Sequence, residues 1–188
     1  MARLPYNRVV NVTVTRNDAF PSRRGFGVPL FLTIQTIAGV LDATHRTVVV
    51  GSMDDVTDAG FVAGDEFYDA AELAFSQNPR PLQLKAGFVV LDVTPIAAEF
   101  KTQLDAIYDQ DPGWYWIGVE STMRDQAYLD GLVEWTEAKN KFNLIDSNDV
   151  GHETVGNTTC ISARHKGTVE RTGVFYHTDA AEYAGFAL

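Results

Sequence analysis

The residues of this 188-residue chain that could carry metal or acid–base chemistry are few and widely separated. The histidines are His45, His152, His165 and His177. No H-x-x-x-H or C-x-x-C pair occurs, and Cys160 is the single cysteine, so neither a zinc site nor an internal disulfide is expected. Cys160 lies beside Ile161 in a predicted short helix, where a lone cysteine is usually a small apolar packing residue.

Two other groups of residues suggest ligand binding only weakly. His177 and Asp179 follow the last predicted strand, where open α/β sheets bind ligands, but an isolated H-x-D is a common pattern. Asp105, Asp109 and Asp111 collect at the end of a predicted helix, where carboxylates oppose the helix dipole. Such a group invites a cation or a basic partner, and the simpler interpretation is a solvated acidic loop.

Sequence motifs for nucleotide binding and covalent catalysis are absent from the chain. There is no G-x-x-x-x-G-K-[ST], no G-x-G-x-x-G after a predicted strand and no G-x-S-x-G. Gly25 and Gly27 form a lone G-x-G, which indicates a turn. Trp114, Tyr115 and Trp116 could stack on a sugar or base, but their place in a predicted strand favours packing. The absence of these motifs favours an assembly role over catalysis, and no catalytic residue, metal or cofactor is expected.

The elements that would position these residues form an alternating pattern. Strands are predicted at residues 82–90, 115–119, 142–145 and 172–176. Helices are predicted at residues 65–76, 96–108, 124–139 and 158–166, with another beginning near Asp179 and a shorter one capped by Ser52. Apolar strands between helices indicate an α/β fold with a largely parallel sheet and flanking helices over residues 51–188. Residues 1–50, with strands predicted at 8–16, 28–35 and 47–50, are expected to form an N-terminal β-rich arm, a separate subsheet or an edge of the sheet.

The charge is divided unevenly between these two parts. The net charge is −10, yet residues 1–50 carry six basic and two acidic residues, against nine and twenty-three in residues 51–188. An acidic body argues against a general nucleic-acid binder. No apolar run approaches the roughly 20 residues that span a bilayer, and MARLPYNRVV lacks the apolar core of a secretion signal. We therefore expect no membrane insertion, and a location in the cytosol or in a particle assembled there.

Seven stretches in series resemble a known family. They are LPYNRVVNVTVTR, FPSRRGFGVPLFLT, GSMDDV, DEFYDAAELAFSQNPRPLQLKAGFV, DPGWYWIGVE, RDQAYLDGLVEWTEAKNKFNLIDSND and RTGVFYH. Their order along the chain is similar to that in the N-terminal portion of contractile phage and prophage tail sheath subunits. GSMDDV and the helix ending in FSQNPRP are the most specific of these stretches.

The resemblance implies a structural virion protein. Sheath subunits form hexameric rings that stack helically around a tail tube, and contraction of the sheath drives the tube through the host envelope to deliver the genome. The implied partners are further copies of the chain, the tail tube and the baseplate. The implied location is the virion tail, assembled in the host bacterial cytoplasm. Sheath subunits are longer than this chain, and their later part supplies a C-terminal arm.

The resemblance also implies that terminal arms add strands to the sheets of neighbouring subunits. The alternation of Val10, Val12 and Val14 with polar residues, without a hairpin turn to the next strand, fits such an arm. The candidate assembly residues are Arg8, Val10, Val12, Val14, Arg16, Arg23 and Arg24. Pairing of this strand within its own chain stays open. The alternative functions are another tail or baseplate component, and a small α/β enzyme that binds an anionic ligand at the carboxyl ends of its strands.

Overall fold

The computed structural model describes residues 27–177, and these contain a six-stranded sheet flanked by helices. The strands are β1 (Pro29–Thr33), β2 (Thr47–Val50), β3 (Leu84–Phe88), β4 (Trp116–Val119), β5 (Phe142–Ser147) and β6 (Thr172–Tyr176). Their order is β2-β3-β1-β4-β5-β6. β2 is antiparallel to β3, and every other neighbouring pair is parallel. The predicted α/β fold with a largely parallel sheet is confirmed.

The helices begin and end close to where the sequence predicts them. They are α1 (Met53–Asp58), α2 (Glu66–Ser76), α3 (Ala97–Gln110), α4 (Gln126–Lys139) and α5 (Ile161–Arg164). Ser52 caps α1 as predicted, since its hydroxyl accepts a hydrogen bond from Asp55 N at 3.2 Å. Asn140 caps the end of α4 with a left-handed φ of 55°, a conformation that asparagine tolerates well.

The two faces of the sheet carry separate cores, because side chains alternate between the faces of a strand. On one face, Leu30, Leu32, Ile117 and Ile145 pack against α3, α4 and α5. On the other, Phe31, Ala86 and Phe88 pack against α1 and α2. We call these the α3/α4 face and the α1/α2 face.

Two sequence-based expectations need correction. β1 lies at the centre of the sheet, and not in a separate subsheet or at an edge, whereas β2 lies at an edge. The reason is that Leu30, Phe31 and Leu32 are apolar on both faces and need cover on both. The helix expected over residues 158–166 is shorter, because Asn157 Oδ1 accepts hydrogen bonds from Thr159 N and Cys160 N and so turns the chain before Ile161. The strand expected at residues 8–16 and the helix near Asp179 lie outside the described residues.

Candidate functional site

The carboxyl ends of β1 and β4 lie side by side at the point where the strand order reverses, which is where doubly wound sheets bind ligands. Glu120 occupies this point and is only 4% exposed. Its carboxylate accepts hydrogen bonds from Thr33 Oγ1 at 2.7 Å, from Ile34 N at 3.1 Å and from the hydroxyl of Thr122. Glu120 is not among the residues predicted from the sequence, although an acid directly after the apolar strand YWIGV marks the carboxyl end of that strand.

Two further carboxylates lie near this point, and they also accept hydrogen bonds from other residues of the chain. Glu66 accepts hydrogen bonds from Ser121 N at 2.7 Å and from the Ser121 hydroxyl. Asp65 accepts one from Gln35 Nε2 at 2.7 Å. An anion placed here would meet carboxylates, and the backbone donors Ile34 N and Ser121 N already have acceptors. The alternative function, an enzyme that binds an anionic ligand at the carboxyl ends of its strands, stays a prediction.

A histidine lies between two serines at the carboxyl end of β5. His152 Nε2 is 3.1 Å from Ser147 Oγ, and His152 Nδ1 is 3.0 Å from Ser162 Oγ. This arrangement could pass a proton between hydroxyls, but Ser147 is only 3% exposed. Cys160 is also buried, as expected of a packing residue.

The remaining histidines are dispersed. His45 contacts Asp42, His165 contacts Asp130, and His177 N donates to Ser147 O at 3.0 Å beside the carboxyl edge of β5. Asp179, the predicted companion of His177, is outside the described residues. Between residues 27 and 177, no cluster of three or more His, Cys, Asp or Glu side chains is arranged to hold a metal ion.

The acidic group at the end of α3 finds its basic partners within the chain. Lys139 Nζ lies 2.8 Å from Asp105 Oδ1, and its hydrogen bond holds the pKa of that carboxyl below its usual value. Burial alone would raise the pKa of Asp111, but hydrogen bonds from Lys85 and Gly113 N outweigh it, and the pKa is lowered. Asp105 and Asp111 therefore each form an ion pair with a lysine of the chain, whereas the simpler interpretation of the sequence was a solvated acidic loop.

The three aromatic residues before β4 and at its start have different environments. Trp114 is buried and stacks on Trp135 with 5.8 Å between ring centroids, as expected for packing. Trp116 is half-buried on the α1/α2 face, where its ring lies 4.6 Å from that of Phe142. Trp116 is thus part of a surface that the sequence did not separate from the core.

This surface, which we call the open face, is the α1/α2 face of β4, β5 and β6. Its half-buried apolar side chains are Trp116, Phe142, Leu144 and Phe175. Within residues 27–177, α1 and α2 pack over β1, β2 and β3, and α3, α4 and α5 lie on the opposite face. No described helix therefore covers the open face.

A groove of about 500 Å³ lies beside the open face, at the amino ends of β1, β4 and β5. Trp116, Phe142 and Leu144 line its sheet side, and Ala74 of α2 lines its wall with Pro79 and Pro81. Gly27, the first described residue, also lines the groove. The groove is apolar and continuous with the open face.

The sheet has two edges at which no other described strand pairs, β2 and β6. Asn143 N donates to Arg171 O and His177 N to Ser147 O, so alternate residues of β6 bond to β5. The backbone groups of Thr172, Val174 and Tyr176 therefore point away from the sheet. Just before β2, Arg46 O accepts a hydrogen bond from Phe88 N, which fixes the residues of β2 that bond to β3. The backbone groups of Thr47 and Val49, which alternate with those residues, therefore point away from the sheet.

The predicted assembly residues Arg8, Val10, Val12, Val14, Arg16, Arg23 and Arg24 all lie outside the described residues. Residues 27–177 form a doubly wound α/β sheet in which β2 and β6 each pair with one described strand only, and no described helix covers the α1/α2 face of β4, β5 and β6. No protein-family model matches the chain, and no curated protein matches it. Among residues 27–177, no helix has the length and apolar character that crossing a membrane requires.

Proposed function

We propose that this chain is a structural subunit of a contractile tail sheath that forms hexameric rings around a tail tube in the virion. The proposal starts from the serial motifs that resemble sheath subunits. The observation that carries it is an α/β body in which no further described strand pairs with the edge strands β2 and β6, joined to a segment in which Val10, Val12 and Val14 alternate with polar residues. Such a segment pairs with a free edge through backbone hydrogen bonds.

The charge distribution supports contact between copies. Residues 1–26 carry five arginines and one aspartate, and residues 27–177 carry ten basic and twenty-two acidic residues. The segment of one subunit is thus attracted to the body of another. In this mechanism the bodies move as rigid units during contraction while the arms keep them connected, and no cofactor takes part.

β6 is the edge we assign to the incoming arm. It presents three outward residues, Thr172, Val174 and Tyr176, whereas β2 presents two, Thr47 and Val49. A longer ladder gives more backbone hydrogen bonds, each contributing about 1 kcal/mol. A five-residue partner at β6 also matches the length of Val10 to Val14.

Deletion of residues 1–16 tests the arm. We expect the body to stay folded by circular dichroism, because β1 to β6 lie outside the deletion. Rings or tubes in negative-stain electron micrographs are expected for the full chain and should be lost or greatly reduced after the deletion. Unchanged assembly would contradict the arm mechanism.

A matched pair of double variants distinguishes an arm that pairs as a strand from an arm that acts only through its charge. Val10→Asp with Val12→Asp places charge on the apolar face of the predicted strand, and Asn11→Asp with Thr13→Asp adds the same charge to its polar face. We expect only the first pair to prevent assembly.

Discrete particles without rings in the unchanged chain would favour another tail or baseplate component. A thermal shift with nucleotides or divalent metals would favour the enzyme alternative.

A further inference from the structure

We infer that a cleft between α4, α5 and β6, on the α3/α4 face, binds a small carboxylate with a branched apolar body. The inference goes beyond the proposed function and does not rest on it. Three observations carry it: a cleft with both apolar and polar walls, a serine hydroxyl whose proton is left for a ligand, and a buried threonine hydroxyl without a partner in the described part of the chain.

The cleft exists because α5 is too short to cover β6. The helix makes a single turn, Ile161–Arg164, and Gly167, whose φ is 74°, lies in the turn that leads to β6. The space left between the elements has a volume of about 280 Å³, which suits a small ligand. Val133 of α4, Val169 and Val174 form its apolar walls. These side chains favour a compact apolar body in the cleft.

The hydrogen bonds around His152 determine where the Ser162 hydroxyl donates. Ser147 is buried, its Oγ accepts a bond from Asp149 N, and among residues 27–177 only His152 Nε2, at 3.1 Å, accepts its proton. The neutral ring therefore carries its own proton on Nδ1, which donates to Ser162 Oγ at 3.0 Å. Cys160 Sγ, at 3.5 Å, is only a weak acceptor. Ser162 lines the cleft, so its O–H is left to donate to a ligand there.

Lys166 adds a positive charge on the same side of the cleft. It follows Ser162 by four residues, a spacing that brings side chains together on a helical turn. Within residues 27–177 its ammonium forms no ion pair, whereas Asp130 is already paired with Arg164 and His165. A hydroxyl donor beside an ammonium group matches a carboxylate, which accepts hydrogen bonds from both.

The wall formed by β6 supplies a further donor. Thr172 lines the cleft, and its Oγ1 is buried with no hydrogen-bond partner among the described residues. Asn143, its neighbour on β5, is fully buried, and its amide also lacks a partner in the described part of the chain. Buried polar groups are nearly always hydrogen-bonded in proteins, so this wall suits a polar ligand group. Rotation about χ1 exchanges the hydroxyl and the methyl group of a threonine, which lets Thr172 donate into the cleft.

Titration of the isotope-labelled 188-residue chain with sodium isovalerate, followed by NMR, tests the inference. We expect saturable shifts of the Gly167, Val169 and Val174 amides, with a dissociation constant of about 1 mM for a ligand of this size. Isoamyl alcohol lacks the carboxylate and acetate lacks the branched body, so each should bind at least about tenfold more weakly. No saturable shift with isovalerate, or equal binding of the alcohol or of acetate, would overturn the inference.

Substitution of the three donors tests the site itself. Ser162→Ala, Lys166→Met and Thr172→Val each remove one donor, and each should weaken the binding of isovalerate about tenfold, because hydrogen bonds to a charged group are the stronger ones. Ser76→Ala and Lys101→Met make matching changes outside the cleft and should leave the affinity unchanged. Unchanged affinity in any of the first three variants would contradict the site as assigned.

The tautomer of His152 gives a second measurement that needs no ligand. Imidazole nitrogen shifts distinguish the two neutral tautomers, and we expect the proton on Nδ1, because Ser147 donates to Nε2. Ser147→Ala removes this donor and should abolish the preference for Nδ1. A ring of His152 protonated on Nε2 in the unchanged chain would leave Ser162 without a spare proton and so exclude it as a ligand donor.

Discussion

At the scale of single residues, Glu120 joins two central strands at their carboxyl ends. One carboxylate oxygen accepts hydrogen bonds from Thr33 Oγ1 and Ile34 N after β1, and the other accepts one from Thr122 after β4. The position that binds ligands in many doubly wound folds is here filled by the chain's own side chains. Glu120 therefore contributes to the rigidity of the body.

Glu120→Ala should lower the free energy of unfolding by about 2–3 kcal/mol, because the buried hydroxyl of Thr33 and the part-buried N–H of Ile34 lose a charged acceptor. Urea denaturation measures this value. Glu134→Ala is the control, since its exposed pair with Lys101 should contribute less than about 1 kcal/mol. Equal losses for the two variants would show that Glu120 has no special structural role.

Asp111 makes stability depend on pH at the end of α3. Its pKa in the folded protein is lowered, because the hydrogen bonds from Lys85 and Gly113 N outweigh the opposing effect of burial. A carboxyl with a lower pKa in the folded state stabilises the protein above its unfolded pKa of about 4, and this contribution is lost as pH falls through the folded pKa.

Asp111→Asn should therefore cost about 1–3 kcal/mol at pH 7 and progressively less below pH 4. Urea denaturation of both proteins at a series of pH values measures the difference. Asp109→Asn, at an exposed neighbouring position, is the control and should show little change at any pH. A loss for Asp111→Asn that is constant from pH 7 to pH 3 would exclude the ion pair with Lys85 as its cause.

At the scale of elements, α3 and α4 approach each other closely at Gly131. A Cβ atom at this position would lie 2.8 Å from Ala97 O and 3.2 Å from Ala97 Cα. Both neighbours are backbone atoms, so a side chain at 131 would force the two helices apart. The glycine in the middle of α4 is explained by this contact, although glycine is a poor helix former.

Gly131→Ala separates packing from helix propensity. Propensity alone would stabilise the variant by about 1 kcal/mol, whereas overpacking should destabilise it by about 1–3 kcal/mol. We expect net destabilisation in thermal or urea unfolding. Ala138→Gly, at an exposed site of the same helix, gives the propensity effect alone in the reverse direction. Stabilisation by Gly131→Ala would show that the helices can separate at little cost.

At the scale of the whole molecule, the body is asymmetric. On the α1/α2 face, α1 and α2 cover β1 to β3, whereas no described helix covers β4 to β6, which include the longer of the two edge strands. The acidic body and the basic first 26 residues have opposite charge. The apolar surface without a described helix and the longer edge strand thus lie in the same half of the described sheet.

Val174→Pro tests whether β6 receives the arm of a neighbour. The Val174 N–H points away from β5, so proline removes no hydrogen bond of the described sheet but blocks an added strand. We expect a folded body and assembly weakened about tenfold or more, measured by sedimentation. Val49→Pro makes the same change at the β2 edge and should leave assembly intact. The opposite result would assign the arm to β2.

Local pattern was sufficient to predict most elements. The alternation of apolar strands with amphipathic helices predicted the α/β fold, and Ser52 was identified as a cap from its side chain and the acids that follow it. The place of β1 at the centre of the sheet was not predictable, because VPLFLTIQ has the same apolar character in a central strand and in a small separate sheet.

The candidate sites were less predictable than the fold. The predicted arm residues lie outside the described part of the chain, and their role stays a prediction. Glu120 and its donors come from positions 33, 34, 120 and 122, so no local motif joins them. In the sequence, nothing distinguishes Trp116, Phe142 and Leu144 from core residues. The reason is that a strand covered by helices on one face and a strand covered on both faces can have the same composition.

The sequence by itself determined the alternating elements, the helix caps and the division of charge, because each depends on residues that are near in the chain. Only the tertiary structure decided which strands became neighbours, since strand order depends on packing between distant segments. That order brought Glu120 to Thr33, paired Asp111 with Lys85, and left the α1/α2 face of β4, β5 and β6 without a described helix.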